Sequence, residues 1–199
     1  DHKRRTTVGR PRAGQEVRLV DDHGAEVPHG AVGEVIWRGA NKSYGFLNDP
    51  EGTERVWDEE GWLHSGDLGV IDTDGYLQII GRKKDMIIRG GQNIHPGAIE
   101  EVLRRHPQVA EVAIVALPDP VMGERIAACV VPRPGTDLTL DSLKSYVLAA
   151  GMAAWHQPEF LVPVRELPRN AGGKVDKKRL SETVAKARDA AAKRSPVGG

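Results

Sequence analysis

Three charged side chains stand in settings that suit chemistry: Asp67 in "GWLHSGDLG", Arg82 in "GRKKD" and Lys174 in "PRNAGGKV". Asp67 lies between Gly66 and Leu68 in a turn, where its carboxylate projects without crowding. Two carboxylate oxygens match a vicinal diol such as a ribose 2′,3′-pair. An Asp beside Gly more commonly satisfies the N–H groups of its own turn. Arg82 follows a strand-like run and offers a planar fork of donors to phosphate or ribose oxygens, or it is an ordinary surface arginine. Lys174 follows Gly172-Gly173. An adaptable glycine loop there can swing a compact ammonium onto an anion, or simply precede a basic helix. The loop is not a P-loop, because the "GxxxxGK[ST]" spacing is absent and Val175 follows the lysine.

The elements that position these residues fall into two groups. From Val17 to Ile80 the segments are short, apolar and punctuated by glycine, as in "EVRLVD", "GEVIWRG" and "GYLQIIGR". With "DDHG" and "DTDG" as turn signals, they predict a small antiparallel sheet, open or barrel-like, and no strong helix before Gly81. After Pro96 the pattern becomes helix, strand, strand, helix, strand, helix. The first helix carries Ile99, Val102 and Leu103 on one face, the second is capped by Thr139, and "SPVGG" forms a disordered tail. The fold class is therefore α+β, with a β subdomain over 1–83 and an α+β domain over 84–199. The charged run of "GRKKD" falls between them, where a hinge at about 82–85 or a solvated linker would sit.

Bulk properties narrow the function. Lys+Arg and Asp+Glu both number 28, and this balance argues against a dedicated nucleic-acid or membrane-surface binder. The single Cys129 lies in the apolar "IAACVVP", where it packs as a small hydrophobe and suits a reducing, cytoplasmic setting. No apolar run reaches the ~20 residues of a transmembrane helix. The seven histidines show no metal spacing and no "GxSxG" elbow occurs, so metalloenzyme and hydrolase readings lack support.

Taken in order, "VGRP", "GEVIWRGANKSYGF", "GWLHSGDLG", "GRKKDMIIRGGQNIHPGAIEEVL" and "PRNAGGKV" resemble the carboxyl-terminal portion of the adenylate-forming acyl-CoA synthetase superfamily, from about Val8 to about Leu180. The resemblance implies an ATP-dependent ligase that converts a carboxylic acid to acyl-AMP and passes the acyl group to CoA as co-substrate, with Mg accompanying ATP. It implies that Asp67 binds ribose hydroxyls, that Arg82 contacts the ribose or α-phosphate, and that Lys84 occupies the hinge. It further implies that Lys174 bridges carboxylate and phosphate during adenylation, and that Gly90 and Gly91 line the thiol tunnel. The family's phosphate loop ending in "PKG" and its "YGxTE" segment are not in this sequence. The expectation is a chain that works with the remaining amino-terminal domain of the same enzyme and is inactive alone. The nature of the acid is left open. Alternatives are a carrier-protein or amine acceptor, or a non-catalytic binding fragment.

Overall fold

The computed structural model describes residue 3, residues 6–41 and residues 43–194, with side chains as far as residue 188. The expected "SPVGG" tail lies outside the described residues. The chain divides into two compact units, Asp1–Lys84 and Asp85–Gly199.

The first unit is an antiparallel meander of β1 (Gln15–Val20), β2 (Val32–Gly39), β3 (Leu63–Ile71) and β4 (Leu77–Arg82), paired in that order. It is an open sheet and not a barrel. The "DTDG" turn forms as its composition predicts: Asp72 Oδ1 accepts the N–H groups of Asp74 and Tyr76, each at 2.9 Å. Alternation along β1 and β2 sends Leu19 and Val35 to a cluster with Leu77, and Val20 and Ile36 to a second cluster with Trp62. Between β2 and β3 lies α1 (Pro50–Glu54), a five-residue helix, in keeping with the expectation of no strong helix in this half. Asp49 caps it, accepting the Gly52 N–H at 2.7 Å, and Pro50 supplies the fixed φ of a first helical residue.

The second unit is a sheet covered on both faces. Its strands are β5 (Ile87–Arg89), β6 (Gln92–Ile94), β7 (Val109–Asp119), β8 (Gly123–Pro132) and β9 (Phe160–Pro163). They run in the order β6-β5-β8-β7, with β9 parallel to β8. The helices are α2 (Pro96–Leu103), α3 (Leu140–Ala149) and α4 (Lys177–Arg194). One face packs Val112, Ile114, Ile126 and Ala128 against Ile99 and Leu103 of α2 and Leu143 and Val147 of α3. The other packs Ala113, Val115, Ala127 and Cys129 against Leu180 and Val184 of α4. Double coverage explains why β7 and β8 read as almost unbroken apolar runs. Thr139 caps α3 as expected, accepting the Ser142 N–H at 3.2 Å. Cys129 is fully buried, and burial pushes its thiol up to about 12.

Candidate functional site

Asp67 and Arg82 are brought together by a bulge. In the β2–β3 ladder Glu34 faces Leu68 and Ile36 faces His64, so Ser65, Gly66 and Asp67 of β3 stand opposite Val35 alone. Extra residues on one strand bend it outward and re-aim its side chains. Gly66 adopts φ +67°, a left-handed conformation that glycine reaches without strain. On the other edge of β3, Asp67 is the direct partner of Arg82 in β4, and cross-strand partners share a face. The Arg82 Nε lies 2.7 Å from Asp67 Oδ1 in an ion pair, and the Asp67 side chain keeps 29% of its exposure.

What holds the bulge separates the two uses open to Asp67. The Gly66 N–H donates to Glu34 Oε1 at 3.2 Å, and the Asp67 N–H donates to Ser65 Oγ at 3.0 Å. Ser65 Oγ in turn donates to the Val35 carbonyl at 2.6 Å. The turn's donors are thus met by Glu34 and Ser65, while Oδ2 of Asp67 has no protein partner among the described residues.

The second oxygen of Glu34 accepts from Lys83 Nζ at 2.9 Å, and Asp22 Oδ1 lies 3.0 Å from the same ammonium. Hydrogen bonds to Glu34 and then Asp22 hold the Lys83 ammonium above its ordinary value. Lys84 is exposed and makes no ion pair or side-chain hydrogen bond among the described residues. The charged run therefore has one lysine anchored to the first unit and a second that is unpartnered. Glu34 is buried, so Glu34→Ala strips a donor pair of its acceptor and is expected to lower stability by about 2 kcal/mol. Urea unfolding of the chain measures this, and an unchanged midpoint would mean that the bracket is dispensable.

In the second unit Lys174 ends a three-residue hairpin loop. The Asn170 N–H donates to the Lys174 carbonyl at 2.8 Å and the Gly173 N–H to the Asn170 carbonyl at 2.9 Å. The Asn170 side chain also accepts the N–H groups of Gly172, at 3.0 Å, and Lys174, at 3.1 Å. Gly173 takes φ +77°, the left-handed residue such a loop requires. Both flanks are tied down: Arg169 Nη2 donates to Glu111 Oε2 at 2.5 Å, and Lys177 Nζ lies 2.6 Å from the buried Glu100. The adaptability expected of the glycine pair therefore belongs to the lysine stem, which is exposed, and not to the backbone.

Gly90 and Gly91 form the two-residue turn of the β5–β6 hairpin, with φ of 55° and 78°. Positive φ at both central residues is the requirement of a type I′ turn. The Gly90 N–H donates to the Met122 carbonyl at 2.8 Å, and a Cβ on Gly90 would meet Met122 Cε at 2.8 Å. The hairpin escaped the sequence pattern, although a Gly-Gly pair between two short extended runs signals it. Glu34, Lys83 and Asn170 also escaped, and only Asn170, in a glycine-rich turn, left a local sign. Among the described residues no group of three or more His, Cys, Asp or Glu is placed to hold a metal ion.

Comparison with known proteins bears on this arrangement. The model of the AMP-binding enzyme C-terminal domain matches residues 98–174, ending on Lys174. The chain belongs to the adenylate-forming superfamily and corresponds to its carboxyl-terminal portion. The medium-chain fatty-acid–CoA ligase of Escherichia coli is 41% identical over 172 residues, covering 86% of this chain and 30% of the ligase. The structure of the amide bond synthetase McbA from Marinactinospora thermotolerans is similar with a TM-score of 0.82 and 38% identity, covering 90% of this chain and 36% of that one. ATP-bound MatB from Rhodopseudomonas palustris gives a TM-score of 0.84 at 33% identity, covering 92% and 36%. The chain thus spans about a third of these adenylate-forming relatives, whose names include both a CoA ligase and an amide synthetase. No helix among the described residues is long and apolar enough to cross a membrane.

Proposed function

We propose that this chain serves an ATP-dependent acid–CoA ligase, with Asp67 and Arg82 holding the nucleotide, Lys174 acting in adenylation and Lys84 as the pivot of the second unit. The observation that carries the reading is the Asp67–Arg82 pair on its bulge. One carboxylate oxygen orients the guanidinium, while the other is unspent on the turn. An ionised carboxylate so placed can accept the two hydroxyls of a ribose, and the guanidinium has N–H groups to spare for the sugar or α-phosphate. In the first half-reaction an acid oxygen attacks the α-phosphorus, forming the acyl–phosphate bond as pyrophosphate leaves. Both reactants are anionic, so an ammonium spanning them reduces the repulsion where charge develops. In the second, a thiol sulfur attacks the acyl carbon and AMP departs.

The enzyme carrying this chain is tested by acid-dependent exchange of pyrophosphate into ATP across a panel of carboxylic acids. Exchange with at least one acid, followed by thioester formation on adding CoA, is expected. No exchange with any acid would remove the reading. Similarity to an amide bond synthetase favours a second acceptor class, an amine. Trapping the acyl-adenylate with CoA and amines in parallel decides between them.

The hinge has its own test. Proline fixes φ near −65°, so Lys84→Pro restricts the rotation while leaving both units folded. Thioester formation is expected to fall several-fold with adenylation largely retained. Equal loss in both half-reactions, measured by single turnover, would count against a pivot specific to the switch.

A further inference from the structure

A second charged cluster lies within the second unit and includes none of Asp67, Arg82, Lys84 and Lys174. Glu159, just before β9, receives Arg89 in a bidentate grip, Nε to Oε2 at 2.8 Å and Nη2 to Oε1 at 3.0 Å. Arg125 of β8 donates Nη1 to the same Oε1 at 3.0 Å and Nε to Asp119 Oδ2 at 2.5 Å. Asp119, at the end of β7, uses Oδ1 to accept the N–H groups of Val121, at 3.0 Å, and Met122, at 2.9 Å. The Met122 carbonyl accepts the Gly90 N–H, and Gly90 follows Arg89 directly. The path closes on itself: Gly90, Met122, Asp119, Arg125, Glu159, Arg89. Five of the six links are hydrogen bonds, three of them between charged side chains, and the sixth is the Arg89–Gly90 peptide bond.

We propose that Glu159 and Asp119 are positioning residues that clamp the Gly90–Gly91 tip for the acceptor half-reaction. This rests on the proposed function together with the placing of that tip on the thiol path that the resemblance implies. A two-glycine turn has no side chains to pack and is entropically loose. Here its approach strand is fixed by Arg89, and its first amide by the turn at Met122. The two arginines are already matched by two carboxylates, so the cluster serves as an internal staple rather than an open anion site. Its charged hydrogen bonds are the strong kind, and the bidentate Arg89–Glu159 pair adds orientation. The environment agrees. Burial opposes ionisation of Glu159, yet Arg89 and Arg125 hold its carboxyl below the ordinary value, and the Met122 amide and Arg125 do the same for Asp119.

Glu159→Gln keeps the shape and removes the charge, and Asp119→Asn does so at the other end. In the intact enzyme each is expected to speed deuterium uptake over residues 86–95 roughly tenfold, the loss expected for a charged hydrogen bond. Each is also expected to slow thioester formation from pre-made acyl-adenylate about tenfold, a displacement effect, with pyrophosphate exchange unchanged. Unchanged uptake at the tip in both variants overturns the clamp whatever the kinetics. Equal loss of both half-reactions also overturns it, because the cluster would then serve folding alone. A loosened tip with unaltered thioester formation leaves the clamp standing and removes Gly90–Gly91 from the acceptor step. Should Glu159→Gln fail to fold, Asp119→Asn carries the same readouts.

Discussion

Lys174→Ala is expected to slow acyl-adenylate formation by about 10²–10³-fold, or roughly 3–4 kcal/mol, the loss that follows removal of one preorganised charged donor. The geometry sharpens this. Asn170 and Gly173 fix the backbone that carries Lys174, so deleting the side chain leaves the loop's hydrogen bonds in place. Folding is not expected to suffer. Supplied with pre-made acyl-adenylate and thiol, the variant should transfer the acyl group at close to the parent rate. A lysine serving only solubility leaves both steps untouched, and a structural lysine damages both. Single-turnover measurement of each step separates the three, and only selective loss of the first keeps the assignment.

Asp67→Ala is expected to weaken ATP binding by about 1.5–3 kcal/mol, the range for hydrogen bonds to a charged acceptor. Two effects contribute and can be told apart. The ribose loses its acceptor, and Arg82 loses the partner that aims it. Asp67→Asn retains an acceptor oxygen for Arg82 and for one hydroxyl, so it should recover part of the loss. Calorimetric titration with ATP, and with an analogue lacking the 2′-hydroxyl, reads both terms. Equal affinity of parent and Ala variant for ATP would return Asp67 to a turn role, and a parent that does not distinguish the analogue would remove the sugar contact.

Legibility in the sequence followed the range of the interaction. Strands β7 and β8 were readable because two covered faces make long β-branched runs, and α3 because Thr139 precedes an apolar period. The helix α1 was overlooked although Asp49-Pro50 is a start signal, since five residues are too few for a period to show. The β5–β6 hairpin was missed because its strands have three residues each and a charged run precedes them. Within the site, Asp67 and Arg82 were each visible as types, but their pairing depends on a bulge defined against β2. Glu34 is 32 residues from Gly66, and Glu159 is 70 from Arg89, separations over which no local pattern acts. Side chains proposed to do chemistry announce themselves by type and turn. Those that aim them are ordinary glutamates until the chain is folded.

The buried thiol of Cys129 has a practical consequence. The thiolate is the reactive form, and burial, which pushes the Cys129 thiol up to about 12, disfavours it strongly at neutral pH. Cys129 is also wholly enclosed between the sheet and α4. This sequence contains no other cysteine. A thiol introduced at exposed Val121, and another at Glu51, would therefore meet no competition from Cys129 for maleimide dyes. One fluorophore would then sit on each unit, and energy transfer between them would follow any swing about Lys84 as ATP, acid and acceptor are added in turn.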